Sequence, residues 1–160
     1  MMTSRSDLRK TLRERRRALS ASQHLSASQG LAAVLQQRDE VISSQRIALY
    51  LANDGEIDPA VIQQVFWEQG KDCYLPVLDS QNTGHLKFAH YLPDSPLVNN
   101  CYGIPEPKMA CARMIEPQQL DLVLLPLTGF DDQGQRLGMG GGFYDRTFEF
   151  ARVSGKPYLM

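Results

Sequence analysis

No run of apolar residues in this chain approaches the length needed to cross a bilayer. The most apolar stretch, Leu122–Leu127, is six residues interrupted by Pro126, against about 20 for a spanning helix. Residues 1–45 hold no long apolar run either, which predicts no secretory segment. Cysteine is sparse: Cys73, Cys101 and Cys111 form no CxxC and no Cys/His pair at zinc spacing. An odd set of unpaired thiols predicts a reducing, cytoplasmic setting. His24, His85 and His90 also lack metal spacing. Excess charge is missing too: the net charge is −1, so the protein as a whole is not built to bind a polyanion. Two phosphate signatures are absent. There is no GxxxxGK[ST], and a GxGxxG starting at Gly138 would need glycine where Phe143 stands.

What is present is enough for a core. The chain has 160 residues, 42% of them hydrophobic, in the range where a single domain folds without disulfides or metal. Ser20-Ala-Ser-Gln23 has the form of a capping box, so a helix is predicted over about 21–37. Arg46–Leu51 is a short β-prone run. Asp58-Pro59 places an N-cap before a helix over Pro59–Gln69, which Gly70 closes. Strands are predicted at Asp72–Val77, His85–Tyr91 and Asp121–Pro126, the last apolar on both faces. Residues 92–117 contain five prolines without periodicity and read as a long ordered loop. Tyr144–Val153 reads as a helix. Buried strands alternating with helices predict an α/β sandwich with a largely parallel sheet in a single domain over 1–160.

Charge is unevenly distributed. Seven of the 17 basic residues fall within residues 1–17, against Asp7 and Glu14. On a helix, Arg5, Arg9, Arg13 and Arg16 fall within about 80° of one another, beside a stripe of Leu8, Leu12 and Leu19. The helix is therefore expected to dock by its leucines and present arginines along the edge of the contact. Those arginines are either a solvated face or an anion site for phosphate or nucleic acid. No aromatic interleaves them, which argues against single-strand stacking.

The segment from Gly129 to Arg146 holds the most chemistry. It leaves the C-terminal end of a buried strand, where open α/β sheets bind ligands, and enters a predicted helix. Gly138, Gly140, Gly141 and Gly142 remove Cβ atoms, so backbone N–H groups can converge on phosphate oxygens. Arg136 can pair with phosphate. Asp145 can hold Mg²⁺, which takes one or two carboxylates plus phosphate oxygens, or it can serve the helix N-terminus. Glu56, just past the strand end at Leu51, is either a solvated loop acid or a carboxylate that reads a ligand. Tyr102 opens a rigid aromatic-proline loop that either packs or walls a flat ring.

Taken together, the ordered motifs resemble the 5-formyltetrahydrofolate cyclo-ligase family. They are the basic start RSDLRKTLRERRRALS, Glu56-Ile-Asp58, Tyr74-Leu-Pro76, Gly103-Ile-Pro-Glu-Pro107 and Asp121-Leu-Val-Leu-Leu-Pro126. Gly129-Phe-Asp131 and Arg136-Leu-Gly-Met-Gly-Gly-Gly-Phe-Tyr-Asp145 complete the set. The resemblance implies a three-layer α/β/α sandwich with a Rossmann-like sheet. It implies ATP- and Mg²⁺-dependent closure of 5-formyltetrahydrofolate to 5,10-methenyltetrahydrofolate through a phosphorylated formyl group, giving ADP and phosphate. It assigns Arg5, Arg9, Arg136, Gly138, Gly140, Gly141, Gly142 and Tyr144 to ATP, and Asp145 to Mg²⁺. Leu51, Glu56, Tyr102, Met139 and Phe143 fall to the folate, and Arg136, Tyr144 and Asp145 to catalysis.

Some family members carry a lysine where this chain has Gly141; either Arg5 or Arg9 supplies the missing charge, or affinity for ATP is lower. The resemblance also implies residues beyond Met160, because Pro157–Met160 reads as the start of a strand that should lie beside Leu122–Leu125. A monomer is expected, with no membrane and no nucleic acid as partner. The competing readings are a folate or nucleotide binder without turnover, and a nucleic-acid binder acting through the arginine helix.

Overall fold

The computed structural model describes residues 4–160. In chain order the elements are α1 (Arg5–Arg17), α2 (Ala21–Leu35), α3 (Asp39–Ile42), β1 (Arg46–Ala48), α4 (Ala60–Glu68), β2 (Asp72–Leu78) and β3 (Leu86–His90). A hairpin of β4 (Leu97–Asn99) and β5 (Pro105–Pro107) follows, then β6 (Met114–Ile115) and β7 (Leu122–Val123). A second hairpin, β8 (Gly129–Phe130) and β9 (Arg136–Leu137), precedes α5 (Phe143–Thr147), α6 (Ala151–Ser154) and β10 (Tyr158–Leu159).

The main sheet has the order β10-β7-β1-β2-β3-β6. The four strands from β10 to β2 are parallel, and β3 and β6 add antiparallel at one side. Side chains alternate across this sheet as the pleat requires. Ile47, Leu49, Cys73, Leu75, Leu122 and Leu124 face one way, onto Ala32 and Leu35 of α2 and Ile62 and Phe66 of α4. Ala48, Tyr74, Phe88 and Val123 face the other way, onto Phe148 and Ala151. Two apolar layers on two faces make the α/β/α sandwich. Tyr158 pairs with Leu122 and Leu159 with Val123, so the end of the chain lies where it was expected.

Local signals account for the helix starts. The Ser20 hydroxyl accepts from the Gln23 N–H while the Gln23 side chain accepts from the Ser20 N–H, a complete capping box. Asp58 Oδ1 accepts from the Ala60 N–H at 2.9 Å. The helix begins at Ala60 with Pro59 at its cap, one residue later than the Asp-Pro pair suggested. At the far end of α4, the indole N–H of Trp67 donates to the Tyr91 carbonyl at 3.0 Å, and the two rings lie 5.4 Å apart.

Several expectations need correction. Residues 92–117 are not a plain loop. They form the β4–β5 hairpin, two short 3₁₀ turns and edge strand β6. All three β4 residues are exposed and β5 reads Pro-Glu-Pro, so no alternation marked them. The helix predicted at 144–153 is broken into α5 and α6. Phe148 leaves helical geometry at φ −108, ψ 20, and its buried ring packs against Phe88 and Tyr144. The basic helix α1 docks by only one of its leucines: Leu12 is half-buried against Gly129, while Leu8, and Leu19 just past the helix, stay exposed. Arginine hydrogen bonds hold it beside that contact. Arg9 Nε donates to the Gly138 carbonyl at 2.8 Å, and Arg16 Nε to the Asp54 carbonyl at 2.7 Å.

Candidate active site

The strand order dictates where a cleft opens. From β1 the chain crosses to β2 on one side, while β7 pairs with β1 on the other. The segments leaving the C-terminal ends of β1 and β7 therefore diverge, and a crevice forms between them. A cleft of about 840 Å³ lies there, large enough for a drug-sized ligand. Arg5, Arg9, Leu51, Glu56, Tyr102, Arg136, Tyr144 and Asp145 all line it. So do Gly138, Met139, Gly140, Gly141, Gly142 and Phe143. The structure thus brings every site residue singled out from the sequence to one cavity, from segments as far apart as α1 and α5.

One lip is the turn after β1. Asp54 at φ 54 and Gly55 at φ 76 adopt left-handed backbone. The turn closes through the Glu56 N–H on the Asn53 carbonyl at 3.1 Å, and the Asn53 N–H returns a bond to Glu56 Oε2 at 3.1 Å. Glu56 is 7% exposed, and its Oε1 has no partner among the described residues. Burial pushes its carboxyl above the usual range, while the Asn53 N–H and the Arg16 charge pull the other way. A buried acceptor left empty at the wall of a cleft is costly unless something fills it. Glu56 is therefore not a solvated loop acid.

The other lip is the glycine segment. Thr128 N–H donates to the Leu137 carbonyl at 2.8 Å and anchors the β8–β9 hairpin. Gly140 at φ 106 and Gly142 at φ 69 occupy backbone regions that favour glycine. A Cβ at Gly140 would meet the Arg9 guanidinium at 3.7 Å, which places that cation directly over the loop. Arg136 Nη1 donates to the Pro126 carbonyl at 3.0 Å and Nη2 to Asp145 Oδ1 at 2.7 Å. Arg136 and Asp145 are thus one ion pair spanning the two ends of the loop. The helix that follows has only five residues, so anion recognition falls to the loop amides and arginines rather than to a long helix dipole.

Between the lips stands Tyr144. Burial, and after it the Glu56 charge, hold its hydroxyl above the usual tyrosine range, with Arg136 opposing and Tyr50 adding to the rise. Tyr50 is shifted the same way, chiefly by burial, and donates to the Ile57 carbonyl at 2.8 Å. Tyr102 lies edge-on to Phe143 at 6.1 Å, which joins the β4–β5 hairpin to the glycine segment.

Sequence reasoning missed other residues at the cleft. Asn100 and Glu106 line it and bond each other at 3.2 Å. Arg146 Nη2 donates to the Gly141 carbonyl at 2.6 Å and Nε to the Gly84 carbonyl at 2.9 Å. While Arg5 and Arg9 line the cleft, this guanidinium lies outside the cleft lining, beside Gly141, where some family members carry a lysine. Its place in Tyr144-Asp145-Arg146 was the available signal. Among the described residues no cluster of three or more His, Cys, Asp or Glu could cage a metal. Of the carboxylates lining the cleft, the exposed Asp145 could contribute to a divalent ion held mainly by phosphate oxygens and water. Among the described residues no helix is long and apolar enough to cross a membrane. Cys73 is a core residue whose thiol burial pushes up to about 12.

Comparison with known proteins agrees with this geometry. The model of the 5-formyltetrahydrofolate cyclo-ligase family matches residues 1–159. The chain is 41% identical to the 5-formyltetrahydrofolate cyclo-ligase of Escherichia coli K12, over 86% of this chain and 76% of that protein. It is 41% identical to that of Haemophilus influenzae, over 91% and 78%. The fold matches the solved 5,10-methenyltetrahydrofolate synthetase of Aquifex aeolicus with a TM-score of 0.74 at 28% identity, covering 91% of this chain and 72% of that one. Motifs, sheet topology, cleft and relatives converge, and the chain belongs to the 5-formyltetrahydrofolate cyclo-ligase family.

Proposed function

We propose that the chain closes 5-formyltetrahydrofolate to 5,10-methenyltetrahydrofolate at the expense of ATP, with Mg²⁺, releasing ADP and phosphate. The observation that carries this reading is the empty, buried Glu56 Oε1 facing a cleft whose opposite lip is an arginine-flanked glycine segment. One lip offers an acceptor for the N–H groups of a pterin. The other offers amides and cations for phosphates.

The formyl oxygen on N5 attacks the γ-phosphorus of ATP, and ADP departs. N10 then attacks the activated formyl carbon, the ring closes, the N10 proton passes to solvent, and phosphate leaves with the former formyl oxygen. Phosphoryl transfer needs alignment and charge neutralisation more than a nucleophilic side chain. Glu56 anchors the pterin; Leu51, Met139, Phe143 and Tyr102 wall the folate. Arg5, Arg9 and the amides of Gly138–Gly142 hold the triphosphate, with Arg136 at the end of the loop. Tyr144 stays protonated and donates a hydrogen bond where the two substrates meet. Asp145 would hold Mg²⁺, which neutralises phosphate charge when bound.

The reading is tested by incubating the protein with Mg-ATP and 5-formyltetrahydrofolate while following methenyl absorbance and phosphate release. Calorimetry with each ligand separates binding from turnover. Protein that binds neither ligand and releases no phosphate overturns it.

A further inference from the structure

A single guanidinium ties the turn after β1 to the backbone that leaves β7, just behind the cleft lining. Arg16 Nε donates to the Asp54 carbonyl at 2.7 Å and Nη2 to Asp54 Oδ2 at 3.2 Å, on the β1 side. Its Nη1 donates to the Leu127 carbonyl at 3.3 Å, on the β7 side. The Arg16 side chain is only 11% exposed, although no α1 residue as a whole is buried. The helix backbone closes on the same turn: a Cβ at Gly55 would lie 3.3 Å from the Arg16 carbonyl oxygen. Asp54 itself holds a left-handed conformation, which aspartate tolerates better than most non-glycine residues. Two residues on, Glu56 has one oxygen tied to Asn53 and the other empty.

We propose that Arg16, acting through Asp54 and Leu127, is the positioning residue that sets the crevice width and aims Glu56 Oε1 at the pterin. This deepens the folate reading of Glu56 and rests on it. Arg16 touches no substrate in this scheme. Its three donors form a planar fork that a lysine cannot reproduce, so the turn is held in direction as well as in distance. Arg17 also pairs with Asp54, but its side chain is 58% exposed and it makes no bond to Leu127. The Arg17 pair reaches only one lip and is dispensable for aiming Glu56.

The test measures dissociation constants for 5-formyltetrahydrofolate and for Mg-ATP separately, with melting temperature recorded for each variant. The set is wild type, Arg16→Ala, Asp54→Ala and Arg17→Ala, with the first two repeated in a Glu56→Gln background. Arg16→Ala should weaken folate by about tenfold, a size usual for directly coupled residues, and ATP far less. Asp54→Ala should reproduce this effect and carries the test if Arg16→Ala folds poorly. Arg17→Ala should change neither constant. In the Glu56→Gln background the Arg16 and Asp54 effects should largely vanish, since Glu56 is the group they aim. Unchanged folate affinity in both variants overturns the inference. So does an equal loss for folate and ATP, or a loss that persists undiminished without the Glu56 carboxylate. Wild-type protein that binds no folate overturns this inference together with the proposed function.

Discussion

Asp121 and Glu56 are carboxylates at opposite ends of the same parallel strands, and their surroundings treat them in opposite ways. Asp121 precedes β7, at the edge away from the cleft. Its oxygens accept from the backbone N–H groups of Gln45 and Arg46 and from the Arg46 guanidinium. Burial raises its proton affinity, but the Arg46 side chain and the two N–H groups outweigh it and hold the carboxyl below its ordinary value. Glu56 follows β1 at the cleft. One of its oxygens has no partner among the described residues, and burial holds its carboxyl above the ordinary value. A carboxylate that stabilises the fold is fully paired. Under the proposed function Glu56 carries a deficit that its ligand removes.

The strongest way to break this comparison is Glu56→Gln. We expect folate affinity to fall by about a hundredfold, in line with losing a charge-assisted hydrogen bond, while the melting temperature holds or rises. A fall in stability with affinity intact would make Glu56 a structural residue like Asp121. Next in size, Asp145→Asn should raise the Mg²⁺ concentration needed for half-maximal turnover and cut the rate. It should cost little stability, because the Arg136–Asp145 pair is largely exposed on the acid side. If the variant unfolds with activity per folded molecule unchanged, Asp145 only braces the loop.

The opposite end gives the converse. Asp121→Asn should lose about 1–3 kcal/mol in urea unfolding through its broken hydrogen bonds, with folate and ATP constants unmoved. The smallest effects lie in the pH dependence of stability. Asp121 has a lowered native value, so its stabilisation is present above the ordinary carboxylate range. It is lost as pH falls through the lowered value. Glu56 has a raised native value, so it takes stability away as pH rises from the ordinary range through the raised one. Asp121→Asn should flatten the acid limb of a pH–stability curve, and Glu56→Gln should relieve the decline above it. Identical curves for the two variants would erase the distinction.

These contrasts also explain what was readable in the sequence. The place of Gly138–Gly142 was legible because a loop at a strand end needs special residue types within a few positions, whereas Glu56 stood as one of two open readings until the family resemblance pointed to the folate. The capping box at Ser20–Gln23 and the buried strand at Leu122 were legible for the same local reason. Arg16 was visible only as one of a stripe. Its partners Asp54 and Leu127 lie 38 and 111 residues away, and no spacing rule spans that distance. The β4–β5 hairpin escaped because its residues are exposed and proline-rich, so periodicity had no core to record. The break at Phe148 was hidden because a helix pattern cannot show that an aromatic finds a better place against Phe88 than on a helix face.

Trp67 is the chain's single tryptophan, and α4 carries it to the same end of the sheet as Asp121, bonded to Tyr91 and outside the cleft lining. Indole emission is therefore a local optical reporter of the closed end of the molecule. Excited selectively, it should follow unfolding faithfully and stay nearly constant when nucleotide or folate fills the far end, once absorption by the ligand is corrected. Indole fluorescence thus reports the integrity of the scaffold separately from the methenyl absorbance that tests the proposed reaction.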